Sequence, residues 1–497
     1  MSGIRVTYTG LISFTVGIIS VFTGLIFTLI VTRRLTPDEF GTWGLIGSLL
    51  VYALIIQSGI GYWTTREIAR GLKSGKTAVI SSGLFSTVGL VIYITMAYFV
   101  SLKSDASQEV LFFASILIPL QFMQTILTAI NLGWKPQAVS YSLLVFESAK
   151  IPAAIIFVYF LDMGIVGAII TTSVAHIMSI TILTYYTKDK LKVSFEKSFL
   201  YKWVKLSWLP IYGNIQNMIL YLDVITFTVI TGSVVGLAFY SSSIAVASIV
   251  NYSSLIYYAL YSKLLEGGKK EYLQENFTSV LYFAIPLLAL CIVFAKPALF
   301  ALNPQYVNAY PIVVIIAIKT FFHIIRDLFE SALSGIEKVD TNEKSTWKDF
   351  VKSKLFFLPT IRIIHNSLYV GILTVVLLSF MQQNVSALNL VIYWSMVALV
   401  IQIPFTLYTY YLAKKRFTIK IPKVNILKYV CTTVIIFGIT YLLTEHFLEY
   451  RINIFEFLPT LLLFVGFSVL SYLLITYLID SRTKRLLNTA IYELRKK

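Results

Sequence analysis

Four ionisable residues recur at helical spacing in one apolar stretch of the sequence. Lys319, His323, Arg326 and Glu330 are four, three and four residues apart, so a helix would carry them on one face, with Asp327 beside them. Each charge at mid-bilayer depth costs on the order of 2.5–3.5 kcal/mol, so this face must meet water or pair internally. Because arginine binds phosphate through two parallel hydrogen bonds, the stripe predicts a cationic cavity for an anionic ligand. A self-neutralised packing network of the same side chains is the alternative.

A second apolar stretch carries Glu147 and Lys150, which are three residues apart and therefore neighbours on a helix. The two side chains form either a structural ion pair or part of a cavity. In the second case Lys150 would bind an anionic substrate and Glu147 would supply cavity charge.

A third apolar stretch contains Asn214, Asn217 and Asp223. The two amides could bind hydroxyl groups of a substrate or hydrogen-bond a neighbouring helix. Asp223 is the best candidate for a carboxylate that carries a coupling proton or sodium ion, because a buried carboxylate in an apolar segment is expensive.

Two adjacent arginines, Arg33 and Arg34, follow the first apolar run. They could meet a phosphate at the mouth of a cavity, although such residues more often extend to the membrane surface. The next residues predict a helix start, in which Thr36 is the N-cap and Glu39 completes a capping box.

The elements that must position these residues are apolar. Of the 497 residues, 57% are hydrophobic and only 13% are charged, and the hydrophobic residues form long continuous runs. Runs of this length span a bilayer as helices rather than as barrel strands. The sequence therefore predicts an all-α polytopic membrane protein with about fourteen spans. Their approximate limits are 10–32, 40–61, 79–100, 110–132, 139–161, 164–186, 207–231, 235–261, 277–300, 309–334, 356–380, 387–413, 425–446 and 457–479.

The positive charges predict the orientation of these spans. Most of the 41 Lys and Arg residues fall in alternate loops, and the other loops hold only five of them, which are Arg33, Arg34, Lys103, Lys296 and Arg451. Since basic loops stay on the cytoplasmic side, both termini are predicted to be cytoplasmic in a multi-pass protein of the plasma membrane. Inner loops beside an anionic leaflet account for the net charge of +17 without a nucleic-acid partner.

Neither enzyme chemistry nor a metal is predicted. The only cysteines, Cys291 and Cys431, lie in apolar runs and form no ligand or disulfide pattern. The sequence therefore predicts no catalytic residues, no metal and no cofactor beyond a coupling proton or sodium ion.

A basic, aromatic segment divides the predicted spans into two groups. A weak repeat on either side of it suggests two six-helix lobes in a pseudo-two-fold arrangement. We expect an N-terminal lobe at 1–190, an amphipathic cytoplasmic linker at 191–206 and a C-terminal lobe at 207–413. Two additional spans and a basic cytoplasmic tail would follow at 414–497.

Several short motifs resemble the polysaccharide-repeat flippases of the multidrug/oligosaccharidyl-lipid/polysaccharide exporter superfamily. Most of the chain is similar in layout, and the first outer turn is the most specific match. The matching residues are Val31-Thr32-Arg33-Arg34-Leu35-Thr36-Pro37-Asp38-Glu39-Phe40-Gly41, Leu209-Pro210, Asp223, Val235-Gly236, Tyr240, Tyr306 and Ala309.

This resemblance implies a flippase for polyprenyl-linked oligosaccharide, with undecaprenyl or dolichyl phosphate or pyrophosphate as the carrier. The two lobes would alternate access to a central cavity. Its partners would be the lipid bilayer and the glycan substrate, and it would work as a monomer beside glycan-assembly proteins.

Two other functions stay open at this point. A cation-coupled multidrug exporter of the same superfamily would favour a cavity dominated by acidic and aromatic residues. A membrane glycosyltransferase with a polyprenyl donor would need catalytic acids in a sizeable outer loop, whereas the predicted outer loops are short.

Overall fold

The computed structural model describes residues 6–257, 271–337, 339, 347–383 and 385–484, and these are helical throughout, with short connections. The α-helices in chain order are α1 (Val6–Arg34), α2 (Pro37–Ala53), α3 (Ile55–Ala69), α4 (Gly75–Ser101), α5 (Gln108–Phe113), α6 (Leu117–Trp134), α7 (Pro136–Ala154), α8 (Gly164–Leu191), α9 (Lys197–Leu206), α10 (Trp208–Thr231), α11 (Val235–Ala247), α12 (Glu271–Val293), α13 (Ala295–Leu302), α14 (Tyr310–Gly335), α15 (Trp347–Lys352), α16 (Lys354–Met381), α17 (Ala387–Lys414), α18 (Lys423–Phe447) and α19 (Ile454–Ile479).

Eleven helical segments among the described residues are long and apolar enough to cross a membrane. A twelfth is the pair α2 and α3, which bends by 56° between its two helices. The two other predicted spans fall on α1 and on α14, which carries the charged stripe. The prediction of a polytopic all-α membrane protein is confirmed, while the number of fourteen crossings stays a prediction.

The chain forms two compact units. One comprises Met1–Ala238 with Val370–Ala387, and the other comprises Phe239–Tyr369 with Leu388–Lys497. The predicted lobes, linker and C-terminal extension stay a prediction, and the tail beyond residue 484 lies outside the described residues.

Local capping fixes the start of α2 in the first unit. Thr36 accepts a hydrogen bond from the backbone N–H of Glu39, and the Glu39 carboxylate accepts one from the backbone of Thr36, so the predicted capping box is confirmed. The second oxygen of Glu39 accepts the backbone N–H of Ile165 at 3.1 Å, which ties α2 to the start of α8. A side chain at Gly41 would overlap the carbonyl oxygen of Val234, so the motif glycine permits close backbone contact.

Helix α9 lies within the predicted amphipathic linker and is anchored by one buried acid. Glu67 of α3 is 1% exposed. Its carboxylate accepts hydrogen bonds from the Lys202 ammonium at 2.8 Å and from the Trp203 indole N–H at 2.9 Å. The polar ends of both side chains are thus satisfied while the Trp203 ring is fully buried.

In the second unit, buried tyrosines join the last two helices to α12. Tyr282 lies 3.0 Å from the Thr476 hydroxyl, and Tyr472 donates to the carbonyl oxygen of Tyr282 at 2.9 Å. Tyr429 of α18 donates to Asp480, just beyond α19, at 3.1 Å. Since a buried hydroxyl is expensive without a partner, these bonds specify how α12, α18 and α19 pack.

Candidate functional site

The charged stripe of α14 meets an arginine from another helix. Arg362 of α16 donates from Nε to the Glu330 carboxylate, and its Nη2 lies 3.4 Å from Oδ1 of Asp327. The Glu330 side chain is only 4% exposed. One guanidinium therefore neutralises both acids of the stripe, and this contact holds α14 and α16 together.

Arg326 is buried in the same cluster but is less completely bonded. The residue is 5% exposed, and its Nε lies 3.3 Å from Oε1 of Glu330. That contact is an ion pair without hydrogen-bond geometry, so Nε and Nη1 of Arg326 have no hydrogen-bond partner among the described residues. Within the described part of the chain, Nη2 reaches only the ring nitrogen Nδ1 of His323, at 3.5 Å. An anion could therefore accept hydrogen bonds from these buried, cationic N–H groups of Arg326.

Histidines lie on both helices of the cluster. Nε2 of His323 is 3.3 Å from Oδ2 of Asp327, so this ring bridges Asp327 and Arg326. On α16, Nδ1 of His365 pairs with the Asn366 amide oxygen at 2.8 Å, and its buried Nε2 has no hydrogen-bond partner in the described ranges. The ring packs edge-on against Phe405 of α17.

The net charge of the cluster is positive. Lys319, Arg326 and Arg362 carry three positive charges, and Asp327 and Glu330 carry two negative charges. Cations therefore outnumber acids among these five side chains, in an apolar part of the chain.

Sequence reasoning missed Arg362 and His365. Arg362 lies two turns after the start of α16. The available signal was the same one that identified α14, namely an arginine within an apolar span that must have a partner.

Glu147 and Lys150 form the ion pair that their spacing predicts. Nζ of Lys150 lies 2.8 Å from Glu147 Oε2, and the side chains are 12% and 11% exposed. Thr23 of α1 donates a hydrogen bond to the same carboxylate at 3.1 Å. Phe27 and Phe146 flank the ammonium, at 5.1 and 4.9 Å from the ring centroids. This pair is neutral and packed against aromatic rings.

A neighbouring polar network links α6, α7 and α8. The ring of His176 of α8 lies 5.0 Å from that of Phe146, tilted by 53°, and His176 hydrogen-bonds Gln124 of α6. Gln124 donates to the Ser179 hydroxyl at 2.8 Å, and Ser179 lies 2.6 Å from the Ser142 hydroxyl of α7. These bonds join three helices and satisfy their buried polar groups.

The three polar residues of α10 lie in different environments. Asn214 donates to the carbonyl oxygen of Pro210 in its own helix at 2.8 Å, whereas Asn217 is exposed. Asp223 is 4% exposed, and its carboxylate accepts the backbone N–H of Val224 at 2.7 Å. Asp223 is therefore a buried acid with a local donor, and Asn217 is the amide open to a ligand.

The two arginines at the end of α1 also differ. Arg33 is half-buried, while the Arg34 guanidinium stacks over the ring of Tyr159 at 3.9 Å from its centroid. Tyr159 belongs to a π-helical turn, Ile155–Phe160, that follows α7. The cation–π contact gives Arg34 a packing role at this position.

No metal centre is formed by these acids. Across the described ranges, no three His, Cys, Asp or Glu side chains are grouped so that they could hold a metal ion. The cluster's chemistry is that of hydrogen-bond donation from cations, which suits binding of phosphate or carboxylate rather than covalent catalysis.

No protein-family model matches the sequence, and no curated protein matches it either. Solved structures do. The chain is similar to the structure titled "Lipid II flippase MurJ, inward closed conformation", with a TM-score of 0.64 and 14% identity over 94% of this chain and 98% of that one.

Two further structures support the same fold. One is an inward-facing multidrug resistance MATE family transporter of the MOP superfamily, with a TM-score of 0.57 and 14% identity over 82% of this chain and 98% of that one. The other is a MOP superfamily transporter from Pyrococcus furiosus, with a TM-score of 0.50 and 14% identity over 83% and 95%. The chain thus has the fold of MOP superfamily transporters.

Proposed function

We propose that this protein is a transporter that flips polyprenyl-linked oligosaccharide from the cytoplasmic to the outer leaflet of the plasma membrane. The carrier is undecaprenyl or dolichyl phosphate or pyrophosphate. Two lobes alternate access to a partly cationic cavity. The observation that carries the proposal is Arg326, a nearly buried guanidinium in an apolar helix with two donor nitrogens that have no hydrogen-bond partner within the described residues.

Arg362 explains why donors of Arg326 are available to a ligand although its Nε lies 3.3 Å from Glu330. Because Arg362 contacts both Asp327 and Glu330, the acids of α14 already have a counter-ion. Arg326 then keeps its charge and two donors for an anionic head group, and Lys319, two turns earlier, adds a second cation. Each hydrogen bond between a phosphate oxygen and the guanidinium contributes about 1.5–3 kcal/mol. Phosphate that enters the apolar region without such bonds would lose its hydration uncompensated.

The fold comparison supports a transporter. The structures of a lipid II flippase and of a multidrug transporter match 94% and 82% of this chain. In the proposed mechanism Asn217 binds a sugar hydroxyl, and Arg33 and Arg34 meet phosphate at the outer mouth.

Transport by this mechanism needs an energy source. Asp223 is the proposed site of a coupling proton or sodium ion. The protein works as a monomer with both termini cytoplasmic, beside the proteins that assemble the glycan.

The multidrug exporter is the second candidate. An organic cation needs an acid that lacks a counter-ion, but Glu330 and Asp327 are each paired with arginine. This candidate is favoured by the match to the structure of a multidrug resistance MATE family transporter. A glycosyltransferase is the weakest candidate, because the acids of the cluster are bound to arginines rather than placed for acid–base work.

Variants of Arg326 test the proposal. Arg326→Ala should abolish transfer of a labelled lipid-linked oligosaccharide in proteoliposomes, and Arg326→Lys should recover part of it, because an ammonium keeps the charge but loses the planar fork. Arg451→Ala is the matched control, since Arg451 is an exposed arginine whose ion-pair partners among the described residues are Glu449 and Glu456.

The paired variant Arg326→Ala/Glu330→Gln separates binding from packing. If Arg326 only balances Glu330, this variant should regain both folded protein and transport. If Arg326 binds the head group, folded protein should return while transport stays absent. Full transport in the paired variant would contradict the proposal.

A further inference from the structure

A cavity lies away from the charged cluster, at the end of the second unit where α12 passes into α13 and where α18 ends. Its volume is about 560 Å³, and it is open to the surface. This volume falls within the range of roughly 300–1,000 Å³ that is typical of small-molecule sites. The loops around it hold Lys296 and Arg451 and belong to the set predicted to lie outside the cell.

Aromatic rings form much of the cavity wall. Tyr310, Tyr441 and Tyr450 are 39%, 48% and 48% exposed, so their faces are available to a ligand. Beneath them, Phe300 packs edge-on against Tyr450, and Phe457 stacks with Tyr450. Tyr450 is therefore held by two rings and presents a fixed face.

The remaining wall supplies both donors and acceptors. Lys296, Asn308 and Glu445 line the cavity together with the tyrosine hydroxyls. Lys296 lies over the Tyr310 ring, 4.6 Å from its centroid, and neither Lys296 nor Glu445 forms an ion pair with any described residue. Burial raises the pKa of Tyr450, and nearby Tyr441 and Glu445 raise it further, so its hydroxyl remains a donor.

This combination matches the chemistry of a sugar. A pyranose ring has a C–H face that packs on an aromatic ring and a rim of hydroxyls that both donate and accept hydrogen bonds. Exposed tyrosines can contact the C–H face, and the carboxylate, amide and ammonium groups around them can bind the hydroxyls. A purely apolar acyl chain would leave Glu445, Asn308 and Lys296 without polar contacts.

We propose that this cavity is a carbohydrate-binding site, in which Tyr441 and Tyr450 stack on sugar rings and Glu445, Asn308 and Lys296 bind their hydroxyls. The identity of its ligand as the transported glycan rests on the proposed function. In that setting the site holds the oligosaccharide after the phosphate has left Arg326, at the predicted outer surface.

The test uses an array of soluble, fluorescently labelled cell-surface oligosaccharides without lipid carriers. It measures the binding of each one to the full chain in detergent. The wild type should bind at least one glycan. Tyr450→Ala and Tyr441→Ala should each weaken that binding about tenfold, and Glu445→Gln should weaken it by a smaller factor. Tyr201→Ala, which removes an exposed tyrosine of α9, is the matched control and should bind normally.

Two outcomes would overturn the site. One is that no glycan on the array binds. The other is that the tyrosine variants lose thermal stability while glycan binding is unchanged, which would make these rings interfacial anchors only. Arg326→Ala separates this proposal from the proposed function, since it should abolish flipping but leave binding of the soluble glycan intact.

Discussion

Glu147 with Lys150 on α7 and Arg326 with Glu330 on α14 are ion pairs within single apolar helices. Both have helical spacing, and both are nearly buried. The first pair is neutral, and a threonine from α1 adds a hydrogen bond to its carboxylate.

The second pair has a competitor, because Arg362 from α16 binds the same acid. The comparison shows that the neighbouring helix, rather than the spacing within one helix, decides whether a buried charge is satisfied or available.

The largest effect should come from Arg362→Ala, which removes the counter-ion of Asp327 and Glu330. Breaking a buried ion pair from one side costs about 3–5 kcal/mol, so the amount of folded, monodisperse protein should fall sharply. Adding Glu330→Gln should restore most of it. Normal thermal stability of the single variant would show that Arg362 is not the main counter-ion.

Lys150→Met should destabilise the first unit by about 1.5–3 kcal/mol, because Glu147 then keeps only the hydrogen bond from Thr23. The paired variant Glu147→Gln/Lys150→Met should recover stability and keep transport. Thermal unfolding and transfer of labelled substrate would be measured side by side. Loss of transport in a stable paired variant would instead make this pair part of the transport site.

A third buried carboxylate, that of Asp223, extends the comparison, and Asp223→Asn tests it. The amide oxygen can still accept the backbone N–H of Val224, so this hydrogen bond should be kept. Transport driven by a proton or sodium gradient should slow severalfold, since the amide carries no charge to couple. Gradient-dependent uptake into vesicles is the measurement, and an unchanged rate would remove Asp223 from the coupling mechanism.

Thr23→Val should have the smallest effect. It removes one hydrogen bond to Glu147, which is worth about 1 kcal/mol, and leaves the ion pair with Lys150 intact. The melting temperature in detergent should fall slightly while transport is preserved. Thr28→Val, whose hydroxyl bonds only to the backbone of Gly24 in its own helix, is the matched control.

Features that depend on neighbours in the sequence were predictable. The capping box of Thr36 and Glu39 and the contact between Glu147 and Lys150 lie within one turn of helix, where spacing determines geometry. The apolar runs likewise predicted the helices that carry the sites.

The partner of Glu330 was not predictable in this way. Arg362 lies 32 residues further along the chain, and the contact depends on how α14 and α16 pack. The open cavity beside Tyr450 also depends on how helices pack, because it lies between the ends of helices that are distant in sequence.

The hydrogen bond between Tyr282 and Thr476 has a consequence for biosynthesis. The two residues are 194 positions apart. At about 5–20 residues per second, the ribosome needs roughly 10–40 s to make the intervening chain. During that interval the hydroxyl of Tyr282 is already in the membrane without the partner it will have in the mature protein. Helix α19 therefore completes a core whose first members were inserted long before, and this part of the second unit cannot acquire its final packing until α19 has been made.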